Sequence, residues 1–359
     1  MPTQKNELNF NGTNIYSGID VHLKSWTVTI MVEGISHKSF NQPASSDVLY
    51  NYLVNHYPGG VYHSAYEAGF SGFSTHYKLK ELGINSIVVN AADIPTTGKE
   101  KLQKEDRRDS RKIARSLQGN ELTAIYVPTK NCLSDRSLMR MRSTLVRDLA
   151  RYKQRVKSFL YTSGIEYPAI FASRTNHWSK RFIEWLQQIT FTEPSLRISL
   201  DALLSQVIHF RLDLLKINKQ IRVLSKTQQY ASSVELLRSI PGIGLIISMT
   251  ILTELETINR FSRVDYLCSY IGLIPTTHGT GEKVSTGRIT PRGHKVLRKL
   301  IIESSWVAIR TDPAMSKCYL DYCKRMTSNK AIIRIAKKLM SRIKYVLTNN
   351  KPYQKCKVI

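Results

Sequence analysis

The chain has 359 residues, enough for two or three domains each with its own core, and 42% of them are hydrophobic, which excludes wholesale disorder. Its 53 Lys and Arg against 27 Asp and Glu give a formal charge of +26, a field that calls for a polyanionic partner and favours nucleic acid over an anionic membrane surface. The longest apolar stretch, around Ile243 to Leu252, falls short of the roughly 20 residues of a spanning helix, and MPTQKNELNF has neither the basic region nor the apolar core of a signal peptide.

The first segment alternates strand and helix patterns. "NIYSGIDVH" and "SWTVTIMVEG" read as neighbouring strands, rich in β-branched residues and broken at Gly34. A helix over "SSDVLYNYLVNHY" opens on a Ser or Asp cap. "GVYHSAYEAG" is a strand again, "SGFSTHYKLKELG" a helix closed by Gly83, and "INSIVVNAADI" a further strand. This alternation predicts an α/β sheet, followed by a basic helix from about Lys99 to Leu117.

From Cys132 to Leu237 the pattern turns helical, with apolar residues at three- and four-residue steps. Leu138, Met141, Leu145 and Leu149 form one series; Leu203, Val207, Phe210, Leu214, Ile217, Ile221 and Leu224 form another. A coiled coil or helical hairpin fits this seam, and so does an ordinary bundle within one chain. The third segment opens with "IPGIG", a turn whose Gly242 and Gly244 precede a helix. It is either a helix-hairpin-helix contact for a phosphate or a tight helix connection. A polar loop, "PTTHGTGEKVSTG" (275–287), follows, then the basic "GRITPRGHKVLRK" and two amphipathic helices. The five cysteines (132, 268, 318, 323 and 356) lack metal-ligand spacing and predict reduced thiols in the cytoplasm; Cys318 and Cys323 read as helix packing residues.

Four carboxylates stand in a suggestive order. Asp20 ends a strand, Glu67 ends another, and Asp106 and Asp109 lie three apart on one face of the basic helix. Singly, each has a plain reading as a turn residue, a loop start or the solvated partner of an arginine. Together they match the layout of RNase H-like nuclease folds and would suit a two-metal clamp on a phosphate, since hard cations take oxygen ligands.

"GIDVHLK", "YEAG", "KEDRRDSRKIA", "IPGIG", "YIGLIP" and "GRITPRGHKVLRK" together resemble the transposases of insertion-sequence family 110, the DEDD recombinases related to the Piv DNA invertase. The likeness runs in order over nearly the whole chain. It implies a RuvC-like, RNase H-like α/β domain over 1–127, a helical coiled-coil linker over 128–237, and a mostly α transposase domain over 238–359. It implies Mg²⁺ held by Asp20, Glu67, Asp106 and Asp109, donor and target DNA, a structured bridge RNA, and homodimers that assemble into a tetramer. The location it implies is the bacterial cytoplasm, at the nucleoid.

In that family the attacking group is a serine five residues after the proline of a "GL-P" motif and just before a glycine. Counting from Pro275 reaches Thr280, followed by Gly281, so a threonine stands where the family has serine. Ser285, five residues later, is the alternative. An alcohol needs a base or a metal to attack near neutral pH, which is what carboxylates carrying Mg²⁺ would supply. Gly242, Gly244, Gly281, Arg288, Arg292, His294, Lys295 and Arg298 are the candidate nucleic-acid contacts. Two other function classes stay open: a catalytically impaired nucleic-acid-binding relative, and a metal-dependent nuclease or junction resolvase that uses the carboxylates alone.

Overall fold

Alternating β-branched residues over β1 (Asn14–Val21) and β2 (Ser25–Val32) pair antiparallel, with Ile15 beside Val32 and Val21 beside Trp26. The structure, a computed structural model, describes residues 9–96, 105–280 and 283–355; the side chains of 277–280 and 283–286 lie outside that description. Contacts divide the chain into Met1–Pro128 and Thr129–Ile359.

In the first unit β3 (Ile35–Pro43) extends the meander, while β4 (Val61–Glu67) and β5 (Asn85–Val89) run parallel to β1, giving the order β3-β2-β1-β4-β5. The sequence pattern misses β3. "ISHKSFNQP" is an edge strand with mostly exposed polar residues, so it carries no apolar alternation. Helix α1 (Ser46–His56) starts at Ser45, whose hydroxyl accepts from Val48 N, and buries Leu49 and Leu53. With Leu79 of α2 (Ser74–Glu81) these leucines pack on Ile15, Ile19, Val28 and Ile30.

Helix α3 (Asp106–Gln118) covers the opposite face, and residues 97–104, where the sequence predicts its start, lie outside the described residues. Its approach to β1 is backbone against backbone. A Cβ at Gly18 would collide with Ser110 O and with Ala114 N and Cα. A buried hydrogen bond of 2.8 Å between the Thr29 and Ser110 hydroxyls fixes the helix along the strands.

The second unit is mainly helical. Thr129 caps α4 (Lys130–Thr162) by accepting from Cys132 N. This helix packs along α6 (Pro194–Leu224), with Arg142 Nε donating to Asn218 Oδ1 at 2.8 Å and Tyr152 against Phe210. The partner number falls as the first rises, so the two helices are antiparallel. Leu145, Val207 and Ile221 of the predicted seam are buried, whereas Met141 is exposed. Near the hairpin's far end, Phe182 and Leu186 of α5 (Lys180–Gln188) join Val156, Leu160, Leu200 and Leu204 in a separate core.

A larger core joins α7 (Ala231–Arg238), α8 (Leu245–Leu255), α9 (Val264–Ile271), α10 (Lys295–Thr311) and α12 (Ser328–Asn349), with α11 (Pro313–Cys323) alongside through Met315. Between α9 and α10 the predicted polar loop is a hairpin of β6 (Pro275–Thr280) and β7 (Lys283–Ile289). Its threonines and valine suit an extended ladder even though no apolar face marks it. Among the described residues no helix is long and apolar enough to cross a membrane. Cys132, Cys268, Cys318 and Cys323 are free thiols, and Cys356 lies outside the described residues.

The contact at Gly18 leaves no room for a methyl. Gly18→Ala should destabilise the first unit by about 1–3 kcal/mol, read as a lower urea midpoint; an unchanged midpoint would mean that α3 does not rest on β1.

Candidate functional site

Parallel pairing sets the level of two carboxylates. Ile19 lies beside Tyr66, so Asp20 and Glu67 come level at the C-terminal ends of neighbouring strands β1 and β4. Asp20 is two residues beyond Gly18 and therefore on the face that α3 covers. The close approach at Gly18 brings the first turn of α3, with Asp106 and Asp109, towards Asp20. His22 Nε2 stands 3.2 Å from Asp20 Oδ2 and 3.4 Å from Asp106 Oδ2.

Asp20, His22 and Asp106 each offer a ligand atom within 4.8 Å of the others. Glu67 and Asp109 are not in that set, and Asp109 Oδ1 accepts from Lys112 Nζ at 2.9 Å. Burial pushes the Asp20 carboxyl above its usual range; His22 opposes this, and the charges of Asp106 and Asp109 add to it. Crowded carboxylates of this kind gain most from a cation. The two aspartates fit Mg²⁺, an oxygen-seeking ion, and the imidazole widens the donor set towards Mn²⁺. Sequence reasoning missed His22, although the histidine of "GIDVHLK" lies two residues after Asp20 at a strand end.

The second locus is the β6–β7 hairpin. Residue 280 occupies the last paired position, opposite Lys283, and Ser285 pairs with His278 two steps nearer the base. Gly281 lies outside the described residues. At the foot, Gly272 and Gly293 touch: a Cβ on Gly293 would lie 2.6 Å from Gly272 Cα, and both residues have positive φ. Thr290 N donates to Ile274 O at 2.9 Å and His294 N to Tyr270 O at 3.0 Å.

Of the candidate phosphate contacts, Arg288, Arg292 and Lys295 are exposed. His294 and Arg298 are engaged inside the fold. His294 Nδ1 accepts from Leu297 N at 3.2 Å and its Nε2 meets Glu254 Oε2 at 3.0 Å, which uses both ring nitrogens. Arg298 Nη1 donates to Thr290 O at 2.6 Å and to Gly272 O at 3.3 Å, bracing the hairpin's foot. Gly242 is a packing glycine as well, because Ser304 O of α10 fills the place of its Cβ. Gly244, by contrast, opens α8 with free space around it. Clefts on either side of it carry Arg238 and Lys355, and Arg142 and Arg222.

Two family models match these two loci. One, a transposase model of the DEDD type named for IS110, covers residues 17–163; the other, described as the transposase IS116/IS110/IS902 family, covers residues 234–320. The chain belongs to the IS110 family of transposases.

Its relatives in that family include the putative transposase y4qE of Sinorhizobium fredii, 30% identical over 77% of this chain and 66% of the relative. The transposase for insertion sequence element IS1533 of Leptospira borgpetersenii is 28% identical over 54% of this chain and 55% of the relative. The transposase for insertion sequence element IS1111A of Coxiella burnetii is 24% identical over 71% and 69%. The chain thus spans somewhat under two thirds of the first of these relatives and about half of the second.

A buried ion cluster that the sequence did not reveal joins residues from the stretches matched by the two IS110-family models. Glu254, near the end of α8, is 3% exposed. Arg140 of α4 grips it with Nε on Oε1 at 2.7 Å and Nη2 on Oε2 at 2.8 Å. Arg136 Nε lies 3.4 Å from Oε2 and also donates to Thr253 O at 2.9 Å. Burial alone would raise the Glu254 carboxyl, but hydrogen bonds from His294 and Arg140, together with the charge of Arg140, outweigh it and hold it at about 2.

A carboxyl lowered on folding contributes stability above its unfolded value and loses it as pH falls through the folded one. Here the window runs from 4.5 down to about 2, and the contribution at neutral pH is about 3 kcal/mol. Glu254→Gln should cost about that much at pH 7, and the gap to the native chain should close as the pH approaches 2. Urea unfolding at several pH values measures this; a gap independent of pH would contradict it.

Proposed function

We propose that the chain is a DNA transposase, a site-specific recombinase that cleaves and rejoins DNA strands through a side-chain hydroxyl. The observation that carries this reading is the convergence of Asp20 and His22, at the end of β1, with Asp106 at the start of α3, in a chain of net charge +26 that the two family models match. The sheet order, with three antiparallel strands followed by two parallel ones, supports a RuvC-like, RNase H-like domain. Asp20 and Asp106, with His22 beside them, would hold the divalent ion, and Glu67 and Asp109 complete the DEDD set. When bound, that ion neutralises phosphate charge and lowers the pKa of a coordinated oxygen.

Thr280 is the proposed nucleophile. Its oxygen forms a bond to phosphorus as the deoxyribose oxygen leaves, taking up a proton while the hydroxyl gives one up. The phosphoester keeps the bond energy for rejoining. The threonine's β-branch stiffens its approach relative to serine, which keeps a second reading in play, that of an impaired nucleic-acid-binding relative.

Arg288, Arg292 and Lys295, near the hairpin's foot, would hold the DNA backbone, and Gly244 with its flanking arginines another phosphate in the helix-hairpin-helix manner. The antiparallel α4–α6 pair would serve as the coiled-coil linker, and a homodimer pairing into a tetramer would bring donor and target DNA together. We assign sequence reading to a bridge RNA, with the protein recognising backbone and shape.

With a supercoiled plasmid carrying this gene, its flanking DNA and any flanking transcript, the chain should recombine the plasmid. Thr280→Ala should lower the rate by at least about a thousandfold and Thr280→Ser should retain it. Activity of Thr280→Ser far above an inactive native chain would support the impaired reading instead. Titration calorimetry with Mn²⁺ should give binding that Asp20→Asn abolishes and His22→Ala weakens by about tenfold. Equal Mn²⁺ affinity in all three proteins would exclude this metal site.

A further inference from the structure

Glu254 lies on neither strand of the hairpin, yet it ties α4 and α8 to α10, the helix that begins at the hairpin's foot. It takes the fork of Arg140 from α4, sits on α8, and accepts from His294 at the start of α10. His294 in turn caps α10 through Leu297 N and donates its own backbone N–H to Tyr270 O, one residue before the end of α9. Beside it, Gly293 rests on Gly272, and Thr290 N bonds Ile274 O. The two contacts of the imidazole, accepting at Nδ1 and donating at Nε2, fix both its tautomer and its plane.

We propose that Glu254, acting through His294, is a positioning residue that sets the direction in which the β6–β7 hairpin presents residue 280. The proposal rests on the reading of that hairpin as the carrier of the attacking hydroxyl. From Pro275 to Thr280 the strand rises about 17 Å, so the hairpin is a lever. A tilt of about 5° at the foot moves the tip by roughly 1.5 Å, and a misplacement of about 1 Å can cost about a hundredfold in rate. A buried carboxylate is an expensive way to fill space, since apolar side chains of the same volume do so at lower cost. What the ionic cluster adds is orientation, because a bidentate guanidinium and an imidazole bonded at both nitrogens each accept one geometry.

The test compares the full-length native chain with Glu254→Gln, Arg140→Lys and Thr280→Ala. Glu254→Gln keeps the shape and sets an amide N–H₂ or a weaker acceptor against His294. Arg140→Lys keeps the charge, loses the fork and, at 60% exposure, is easily accommodated, so it decides the matter if Glu254→Gln fails to fold. Three quantities are read: the rate of SDS-stable protein–DNA adduct formation on the plasmid carrying the gene and its flanks, the affinity for a fluorescent duplex of the same flank, and amide hydrogen exchange at Thr290 and His294.

In Glu254→Gln and Arg140→Lys the adduct rate should fall by about 10- to 100-fold. Duplex affinity should be unchanged, and exchange at the two amides should speed up by about tenfold. Loss of affinity in step with the rate would point to a merely structural role and overturn the proposal. Native adduct rates in these variants, with Thr280→Ala inactive, would overturn it while leaving the hydroxyl reading intact. An adduct that survives Thr280→Ala would remove Thr280 as the attacking group, and the exchange rates would then decide whether Glu254 holds the hairpin's foot: unchanged exchange overturns that too.

Discussion

Backbone can touch backbone only where no Cβ intervenes, and both chemical loci of this chain are built on such a contact. At Gly18 the absence of a side chain lets α3 lie directly on β1, which carries Asp106 towards Asp20. At Gly272 and Gly293 the end of α9 meets the turn before α10, which closes the foot of the β6–β7 hairpin. In each case the glycine does no chemistry. It removes the few ångströms that would otherwise separate the groups that do.

Two buried or half-buried carboxylates in one basic chain are driven in opposite directions, and the difference lies in their company. Asp20 shares its surroundings with Asp106 and Asp109 and has a single imidazole to oppose them, so its carboxyl is raised. Glu254 is the more deeply buried, yet an arginine fork and a histidine hold it ionised. The first arrangement is under-compensated and gains from an added cation. The second is complete as it stands. That contrast separates a locus suited to chemistry from one suited to holding geometry.

Much of the first unit was legible in the sequence because its strands carry period-two apolar patterns and its carboxylates sit at strand ends. The edge strand β3 was not, because an exposed edge needs no apolar face. The hairpin at 275–289 was hidden for a related reason: its ladder is polar and glycine-containing, so composition suggested a loop. His22 was visible as a letter but lacked a spacing signal, since its partner Asp106 is brought to it by the Gly18 contact. Glu254 could not be found by pattern at all. It lies in an apolar helix more than a hundred residues from Arg140 and forty from His294, and only the fold joins them. The inward bonds of His294 and Arg298 were equally invisible, since a basic run reads as one surface and only the fold shows which members bond within it.

The central claim is that the Thr280 hydroxyl of this hairpin becomes joined to DNA. The most direct measurement traps the protein–DNA complex in denaturant, digests it with protease and nuclease, and locates the residual nucleotide by peptide mass spectrometry. The account predicts a nucleotide phosphate on Thr280. A nucleotide on Ser285 or elsewhere, or cleaved DNA with no protein attached, would contradict it.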